Sequence, residues 1–327
     1  MLLYDNALLL LLAALLLDAV IGDPDWMWQR LPHPVVWIGK FISLFDRHFN
    51  RPSLSPRTRK LAGSMTLFLL VAAGASAGTL LHSLAAVLPY GEALTILVAA
   101  ILIAQNSLYR HVAAVRDGLL SDGLDGGRRA VSRIVGRDPK QLDEAGVSRA
   151  AIESCSENFS DGIVAPVFWF AVLGLPGLIA YKAVNTADSM IGHKNEIYID
   201  FGWASARFDD LVNLPASRLA GLLIALAAPL AGGSPAGSLS CVAADARKHR
   251  SPNAGWPEAA MAGALGLALA GPRVYPGYTV NDRFLNPSGR KDARAKDISR
   301  ALRILLGAYG LQALAVAGLA AAQLLAR

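Results

Sequence analysis

The sequence predicts an all-α integral membrane protein with about four full transmembrane helices, accompanied by broken or re-entrant apolar segments and interfacial helices. Of its 327 residues, 54% are hydrophobic and only 17% are charged, whereas about a quarter of a typical soluble domain is charged. Several uncharged runs approach the ~20 residues that a helix needs to cross a bilayer. The Lys and Arg residues, which give a net charge of +6, gather in a few loops, so they indicate membrane topology rather than a nucleic-acid partner.

The first apolar run, Leu2–Ile21, predicts a transmembrane helix. No basic segment precedes it, and it ends in Asp18 and a Gly-Asp-Pro sequence rather than a cleavage motif, so we expect a retained helix and not a signal peptide. Asp18 near the end of the run suits a carboxylate at the membrane interface. Residues 22–50 are punctuated by proline and then amphipathic, with Trp37 and Phe41 at helical spacing, which predicts an interfacial helix.

Three further uncharged runs predict helices that cross the membrane. Ala62–Leu88 contains Gly74 and Gly78, a small-xxx-small pattern that lets two helices approach closely in lipid. Ala93–Tyr109 is a shorter span that follows a Pro-Tyr-Gly turn, and Ile304–Ala326 is the last span. Together with the first run, these segments account for the predicted full crossings.

Two other apolar segments are interrupted or short. Ile163–Tyr181 carries no charge, yet Pro166 and a Gly-Leu-Pro-Gly sequence at 174–177 break it. Leu219–Ala231 is a short apolar run. Broken helices at membrane depth are tolerated where protein or a polar cavity covers them. Both segments could therefore cross fully or re-enter on the side that they left.

Basic residues predict the orientation of the loops. Residues 22–61 hold seven Lys or Arg, and residues 110–160 and 273–303 hold eight each. Basic loops stay on the cytoplasmic side, so we expect an external amino terminus. The whole chain, 1–327, is predicted to be a single polytopic membrane domain with a cytoplasm-facing soluble insertion at about 110–160, which is too small for a core of its own.

Three carboxylates, Glu153, Glu157 and Asp161, stand four residues apart near the end of this insertion. On a helix they fall within about 80° of one another. Three acids on one face favour a bound cation or a shared proton. The alternative is an acidic face near a helix N-terminus, where carboxylates are stabilising without binding anything.

A second polar region follows the interrupted segment. Asn185 and Asp188 have i, i+3 spacing, and Ser205, Asp209 and Asn213 form an i, i+4, i+8 stripe. A solvated helix would mix Lys, Glu and Gln, whereas this region uses short Asp, Asn and Ser side chains. These are poor helix formers but good ligands for hard cations and phosphate, so the stripe predicts a binding face.

Five polar clusters punctuate the apolar chain. They are Asp18 with Gly22-Asp23-Pro24 and His33-Pro34; Glu153–Asn158 with Asp161; Tyr181–Gly192; Lys194–Asn213; and Asp245–Gly266. In this order, from about Leu15 to Tyr275, they resemble the CobD/CbiB family of cobalamin biosynthesis, the adenosylcobinamide-phosphate synthases. Several multi-residue motifs in one order are far more specific than a single short pattern. The similarity is loose only after Tyr275.

The resemblance implies a multi-pass enzyme of the bacterial cytoplasmic (inner) membrane that acts in the late corrin pathway, with its active site facing the cytoplasm. It would join the free propionate of adenosylcobyric acid to the amine of (R)-1-aminopropan-2-ol O-phosphate, or to aminopropanol itself, giving adenosylcobinamide phosphate or adenosylcobinamide. The family reaction is taken to be ATP-dependent with Mg²⁺. The implied partners are the corrinoid, the amine, the lipid bilayer and other late corrin-pathway enzymes, and no nucleic acid is expected.

Amide formation from a carboxylate requires a poor leaving group to depart, so we expect an acyl phosphate, or alternatively an adenylate, as the activated intermediate. This chemistry calls for Mg²⁺ on carboxylates, cations on the phosphoryl group and a base for the ammonium. The candidate catalytic residues are Glu153, Glu157, Asp188, Asp209, Asp210 and His249. The candidate Mg²⁺ ligands are Asp161, Asp188 and Asp209. The candidate ligands of substrate or phosphate are Asn158, Asn185, Lys194, Arg207, Asn213, Arg247, Asn253 and Glu258. Asp245, four residues before His249, is expected to orient its ring.

Two other classes of function share part of this pattern. A transporter of a corrinoid or small anionic solute also has broken helices and intramembrane acids, and a membrane scaffold could gather late corrin enzymes. The sequence contains no Walker A pattern, so any ATP site is not of the P-loop kind. ATP and corrin intermediates are cytosolic, and one site built from the second to the fifth cluster therefore favours re-entrant segments at 163–181 and 219–231.

Overall fold

The computed structural model describes residues 6–22, 28–30, 32–136, 138–275 and 278–326, and most of these are helical. In chain order the α-helices are α1 (Ala7–Val20), α2 (Pro34–Phe49), α3 (Pro56–Val87), α4 (Gly91–Leu102), α5 (Gln105–Val131), α6 (Glu144–Phe159), α7 (Ala165–Ile191), α8 (Trp203–Val212), α9 (Leu214–Ala227), α10 (Pro235–Asp245), α11 (Gly255–Leu265) and α12 (Ala295–Leu325). A π-helical turn at Ser160–Val164 joins α6 to α7, and 3-10 turns occupy Pro139–Gln141, Ala228–Ala231 and Ala246–Lys248. Strands β1 (Leu269–Tyr275) and β2 (Tyr278–Leu285) form an antiparallel hairpin.

Five helical segments in the described ranges are long and apolar enough to cross a membrane. They are Pro56–Val87, Gly91–Val131, Glu144–Ile191, Leu214–Ala231 and Ala295–Leu325. Helix α1 is apolar but shorter, with 14 residues. The prediction of an all-α integral membrane protein is thus confirmed. The orientation of the loops, the choice between crossing and re-entry, and the single domain with its soluble insertion stay predictions.

One predicted span is not a continuous helix, and one element is new. The run Ala93–Tyr109 is not a single helix, because Ile103 adopts extended backbone (φ −101°, ψ 124°) after α4 ends at Leu102. Helix α5 then begins at Gln105. The β1–β2 hairpin has no counterpart among the predicted elements. Asp23 and Pro24 of the first polar cluster lie outside the described residues.

Contacts between Cα atoms divide the chain into two compact units. The first unit comprises Met1–Ala104, Ala165–Asn213 and Val316–Arg327. The second comprises Gln105–Val164 and Leu214–Ala315. The predicted polar clusters are therefore distributed over both units, and each unit is described in turn.

In the first unit, α3 packs against α7 at two glycines. A Cβ atom on Gly78 would lie 2.4 Å from the Cα of Pro176, and one on Gly74 would lie 3.1 Å from the Cα of Ala180. These distances confirm the close helix approach that the small-xxx-small pattern predicts. The kink in α7 lies at Gly174, whose φ is 64°, so the predicted interruption of this apolar segment is also confirmed.

Helix α2 is amphipathic, as predicted, and its apolar face packs on the core of the first unit. Ile42 is fully buried in a cluster with Leu70 and Phe201, and Phe41 packs against that cluster. Trp37 on the opposite face is 59% exposed. This two-sided pattern is the one that a helix at a membrane surface requires, although its place in the headgroup region stays a prediction.

In the second unit, α5 folds back on itself at Gly123, whose φ is 63°. A Cβ on Gly118 would lie 2.7 Å from the carbonyl oxygen of Gly126, whereas residues eight apart in a straight helix are separated by about 12 Å. Helix α11 packs against both α9 and α10. The hairpin is joined to this group because the Asn286 backbone N–H donates to Asp245 Oδ2 at 2.8 Å.

Candidate functional site

The first unit contains a polar cluster between the C-terminal part of α7 and the end of α8. We call it the Asp188–Asp209 cluster, and its members are Tyr181, Asn185, Asp188, Asp209 and Asn213. The three members on α7 follow one another by about one turn, so they share a face. Asn185 Nδ2 donates to Asp209 Oδ1 at 3.5 Å, and the Tyr181 hydroxyl donates to Asn213 Oδ1 at 2.9 Å. Asn213 Nδ2 donates in turn to the Asp209 carbonyl oxygen at 3.2 Å.

The stripe predicted on α8 is the buried face of that helix. Ser205 and Asn213 are fully buried, and Asp209 is 7% exposed. Burial raises the pKa of Asp209 to about 7, and the negative charge of Asp188 adds to the increase. Hydrogen bonds from Asn213 and Asn185 oppose it without cancelling it. The Asp209 carboxyl group therefore keeps its proton to higher pH than an ordinary aspartate, and a cation bound between the two acids would favour its ionised form.

Asp210, the next residue on α8, has different surroundings. Arg207 Nη1 lies 3.9 Å from Asp210 Oδ2. Burial raises the pKa of Asp210, whereas the positive charges of Arg207 and Lys194 act in the opposite direction. Arg207 and Lys194 are both exposed. Two solvent-accessible cations thus lie near the acidic residues of α8, as the phosphate-binding prediction for these residues requires.

Glu153, the first of the three acids near the end of α6, forms a contact that supports the fold. Its side chain is buried, with 2% of the residue exposed, and Oε1 accepts a hydrogen bond from the backbone N–H of Ala270 at 2.9 Å. Ala270 has a φ of 58° at the start of the hairpin. Glu153 therefore holds β1 against α6, which favours a structural role, and its predicted catalytic role stays a prediction.

The other residues of this motif lie where α6 passes into the π-helical turn. Glu157 and Asn158 are exposed, and Asp161 is partly exposed. Asn158 Nδ2 donates to the Ser154 carbonyl oxygen at 2.9 Å. The turn at Ser160–Val164 has i→i+5 hydrogen bonding, so the regular α-helical stripe predicted for the three carboxylates ends before Asp161. One acid of the three is buried, and two remain accessible.

The second unit contains a cluster that we call the Arg218–Glu258 cluster, formed by Ser217, Arg218, His249, Asn253 and Glu258. Asn253 is 4% and Glu258 is 1% exposed. Asn253 Oδ1 accepts hydrogen bonds from Ser217 Oγ at 3.2 Å and from Arg218 Nη1 at 3.1 Å. The structure therefore brings together three of the predicted site residues from the fifth motif and two residues from the first turn of α9.

His249 in this cluster contacts Glu258 and Ser251. Its Nε2 lies 3.8 Å from Glu258 Oε2, and its side chain is 4% exposed. Nδ1 lies 3.1 Å from the Ser251 backbone nitrogen and 3.4 Å from the Ser251 carbonyl oxygen. The shorter contact favours a neutral ring with its proton on Nε2, facing Glu258. Helix α10 ends at Asp245, so helical spacing does not place Asp245 beside the ring as predicted.

Ser217 and Arg218 belong to the Arg218–Glu258 cluster, but the sequence does not single them out. Tyr181 of the Asp188–Asp209 cluster is named only as the first residue of the third motif. Tyr181 stands at the end of an apolar run, where a tyrosine is common at a membrane interface. Ser217 and Arg218 are the last polar residues before the apolar run that begins at Leu219. That position is the available signal, because a charge at the edge of an apolar helix marks either an interface anchor or a site.

The Asp188–Asp209 cluster has a donor set that fits Mg²⁺. Within the part of the chain that the structure describes, no group of three or more His, Cys, Asp or Glu side chains is arranged to hold a metal ion. Mg²⁺, however, prefers one or two carboxylates completed by water and phosphate oxygens, which Asp188 and Asp209 can supply. Asp161 belongs to the second unit. Which carboxylates bind Mg²⁺, and whether the polar clusters share one pocket, stay predictions.

The fold and the clusters define a polytopic helical membrane protein that buries acidic and amide side chains in both of its compact units. Comparison with known proteins identifies its family. The CobD/Cbib protein family matches residues 11–305, and this chain belongs to that family. The family resemblance predicted from the five motifs is therefore confirmed.

Similar relatives bear the name Cobalamin biosynthesis protein CobD. A relative from a Sinorhizobium species is 54% identical over 312 residues, covering 94% of this chain and 97% of the relative. A relative from Brucella suis biovar 1 (strain 1330) is 56% identical over 301 residues, covering 90% and 91%. One from Rhodobacter capsulatus is 48% identical over 305 residues, covering 91% and 93%. No solved structure gives a significant match to the chain.

Proposed function

We propose that this protein is the membrane enzyme that joins the free propionate of adenosylcobyric acid to (R)-1-aminopropan-2-ol O-phosphate, or to aminopropanol, in a reaction that consumes ATP and requires Mg²⁺. Membership of the family and the name of its relatives support a place in cobalamin biosynthesis. The observation that carries the catalytic part of the proposal is the burial of Asp209 beside Asp188, with the pKa of Asp209 raised to about 7.

Two neighbouring acids are poorly matched to a purely structural role. Keeping both ionised costs free energy through desolvation and like-charge repulsion, and a divalent cation removes both costs. Asp188 and Asp209 would hold Mg²⁺, and the bound ion would neutralise negative charge on the phosphate oxygens of ATP. Lys194 and Arg207, which are exposed and affect Asp210 electrostatically, bind and orient these oxygens.

The chemistry then requires two substitutions. A propionate oxygen attacks the γ-phosphorus of ATP, ADP leaves, and an acyl phosphate forms. The amine nitrogen attacks the acyl carbon, phosphate leaves, and the amide remains after the nitrogen loses a proton. An adenylate pathway would instead release pyrophosphate in the first step and AMP in the second. Asn185 orients the Asp209 carboxyl group in either case through its hydrogen bond to Oδ1.

His249 is the candidate base for the ammonium group. The Ser251 contact favours a ring with its proton on Nε2, so His249 accepts the ammonium proton on Nε2 only after the ring proton has moved to Nδ1, which then faces the Ser251 carbonyl oxygen at 3.4 Å. Glu258, 3.8 Å from Nε2, would stabilise the imidazolium ion that forms. Glu157, Asn158 and Asp161 remain candidate contacts for the substrate because they are accessible at the end of α6.

The test is direct assay of the detergent-solubilised full chain. Purified protein is incubated with adenosylcobyric acid, ATP, Mg²⁺ and each of the two amines, and the amide product is measured by mass spectrometry. Product should require ATP and should fall by about a hundredfold or more in Asp209→Asn, because ionic stabilisation of a reacting group contributes on this scale. The matched control is Asp117→Asn, an exposed acid paired with Arg116 at 2.8 Å, which should keep the wild-type rate.

Three results would contradict the proposal or redirect it. Amide formation without ATP would show that the reaction does not proceed through ATP-dependent activation of the propionate. Equal rates of amide formation in wild type and Asp209→Asn would contradict the proposal that Asp209 binds a catalytic metal ion. Corrinoid uptake into vesicles in the absence of ATP and amine would favour a transporter. Hydroxylamine traps either activated acyl group as a hydroxamate, and the nucleotide that is released distinguishes the two intermediates, because ADP indicates an acyl phosphate and AMP indicates an adenylate.

A further inference from the structure

Arg218, in the first turn of α9, is held in place by neutral groups only. Its Nη1 donates to the Leu214 carbonyl oxygen at 3.1 Å, to Ser217 Oγ at 2.9 Å and to Asn253 Oδ1 at 3.1 Å. Its guanidinium carbon lies 4.5 Å from the centre of the Trp256 ring, within the range of a cation–π contact. These partners fix the direction of the side chain but do not neutralise its charge.

No carboxylate compensates this charge within the described residues. No ion pair is formed there by Arg218 or by Arg247, and the electrostatic interaction recorded for Arg218 is repulsion from Arg247. Some other arginines of the same unit do pair with an acid. Arg290 and Arg300 both pair with Asp297, at 2.7 Å and 3.3 Å. Arg218 differs from these two arginines, because the acid of its own cluster, Glu258, lies beside His249 and forms no ion pair with Arg218 within the described residues.

The free side of the Arg218 guanidinium has the shape of an anion-binding group. All three of its recorded hydrogen bonds use Nη1, so Nε and Nη2 make no bond to the part of the chain that is described. These atoms form the planar fork that binds phosphate or carboxylate through two parallel hydrogen bonds. Arg247, exposed in the 3-10 turn after α10, adds a second positive charge.

We propose that Arg218 and Arg247 form a binding site for an oxyanion, a phosphate monoester or a carboxylate, in which Arg218 is the bidentate ligand and Arg247 the second cation. Binding an anion removes the repulsion between the two guanidinium groups and supplies the missing counter-charge. Asn253, Ser217 and Trp256 are positioning residues, because they hold the fork in one orientation before the ligand arrives. Because Arg247 and Asn253 are also candidate ligands of substrate or phosphate, this inference rests in part on the proposed function. The test below uses no ATP, corrinoid or Mg²⁺, so its outcome is separate from that of the activity assay.

The test measures equilibrium binding of radiolabelled inorganic phosphate to the purified full chain in detergent, without ATP, corrinoid or Mg²⁺. The variants are Arg218→Gln, Arg218→Lys and Arg247→Gln. The matched control is Arg133→Gln, which removes one positive charge from an exposed arginine outside the cluster. Unlabelled sodium propionate is added as a competitor at constant ionic strength, so that carboxylate and phosphate can be distinguished.

Phosphate binding should be equal in wild type and Arg133→Gln. It should be weaker by about tenfold or more in Arg218→Gln and in Arg247→Gln, because hydrogen bonds to charged groups contribute on that scale. Arg218→Lys should fall between them, since it keeps the charge and loses the fork. Displacement by propionate assigns the site to carboxylates as well as phosphates, and lack of displacement assigns it to phosphates. Unchanged phosphate binding in Arg247→Gln and in folded Arg218→Gln, or an equal loss in Arg133→Gln, overturns the proposal.

Discussion

Replacement of Asp209 by Asn tests whether this carboxyl group is held partly protonated by its surroundings. The pKa of Asp209 in the folded protein is about 7, compared with an ordinary value of 3.8. Because the folded-state pKa is the higher one, the folded state binds the proton more tightly than the unfolded state. Wild-type protein therefore loses stability as the pH rises from about 4 to about 7, whereas Asn keeps a similar size and cannot ionise.

The size of the effect follows from the two pKa values. A difference of about 3 in pKa corresponds to about 4 kcal/mol of unfolding free energy once the group is fully ionised. Part of this cost is already present at pH 5, so the change between pH 5 and pH 8 is about 2–3 kcal/mol. We expect Asp209→Asn to be more stable than wild type at pH 8, with a smaller difference at pH 5.

The assay is thermal unfolding of the detergent-solubilised protein from pH 5 to pH 8, first in EDTA and then with Mg²⁺. In EDTA the difference in Tm between Asp209→Asn and wild type should grow as the pH rises. Mg²⁺ at pH 8 should raise the Tm of wild type but not that of the variant. The control is Asp117→Asn, whose Tm difference from wild type should not vary with pH. A constant difference for Asp209→Asn would refute the reasoning.

Three further predictions concern single contacts. Asp188→Asn removes the like charge beside Asp209, so the pKa of Asp209 should fall. The infrared band of the protonated Asp209 carboxyl group should then disappear at a lower pH than in wild type. A band that disappears at the same pH in both proteins would contradict this prediction. Gly78→Ala places a Cβ 2.4 Å from Pro176 and should lower stability by about 1–3 kcal/mol, whereas Gly310→Ala, with open space around it, should not; equal Tm values would refute the packing argument. Glu153→Ala leaves the buried N–H of Ala270 unpaired and should lower the free energy of unfolding by about 1–3 kcal/mol. Glu153→Gln keeps an acceptor for this N–H and should be more stable than Glu153→Ala. Equal stability of the two variants would show that this hydrogen bond does not hold the hairpin.

Local patterns predicted those parts of the fold that depend on nearby residues. The apolar runs indicated most of the long helices, since an uncharged stretch of sufficient length is stable in lipid as a helix. The small-xxx-small pattern indicated the close approach of α3 to α7, and the Gly-Leu-Pro-Gly sequence indicated the kink at Gly174. The extended backbone at Ile103 was not predictable in this way, because no charge or proline marks it. The β1–β2 hairpin was not predicted either, although the sequence places Pro276 and Gly277 between its two strands, a pair that favours a turn.

The candidate site shows the same division. The stripe of Ser205, Asp209 and Asn213 was predictable because helical spacing places these residues on one face, and that face is buried. The three acids near the end of α6 have suitable spacing as well, but Glu153 accepts a hydrogen bond from Ala270. Spacing alone could not separate these cases, since the difference depends on what packs opposite each side chain.

The sequence by itself determined the class of this protein, its family and the segments that carry its polar motifs. These follow from hydrophobicity, charge and spacing along the chain, which every conformation shares. Only the tertiary structure decided that Asp209 is buried near Asp188, that His249 faces Glu258, and that the charge of Arg218 has no acidic partner within the described residues. Burial, hydrogen bonding and local electrostatics depend on residues distant in sequence, and folding alone brings those residues together.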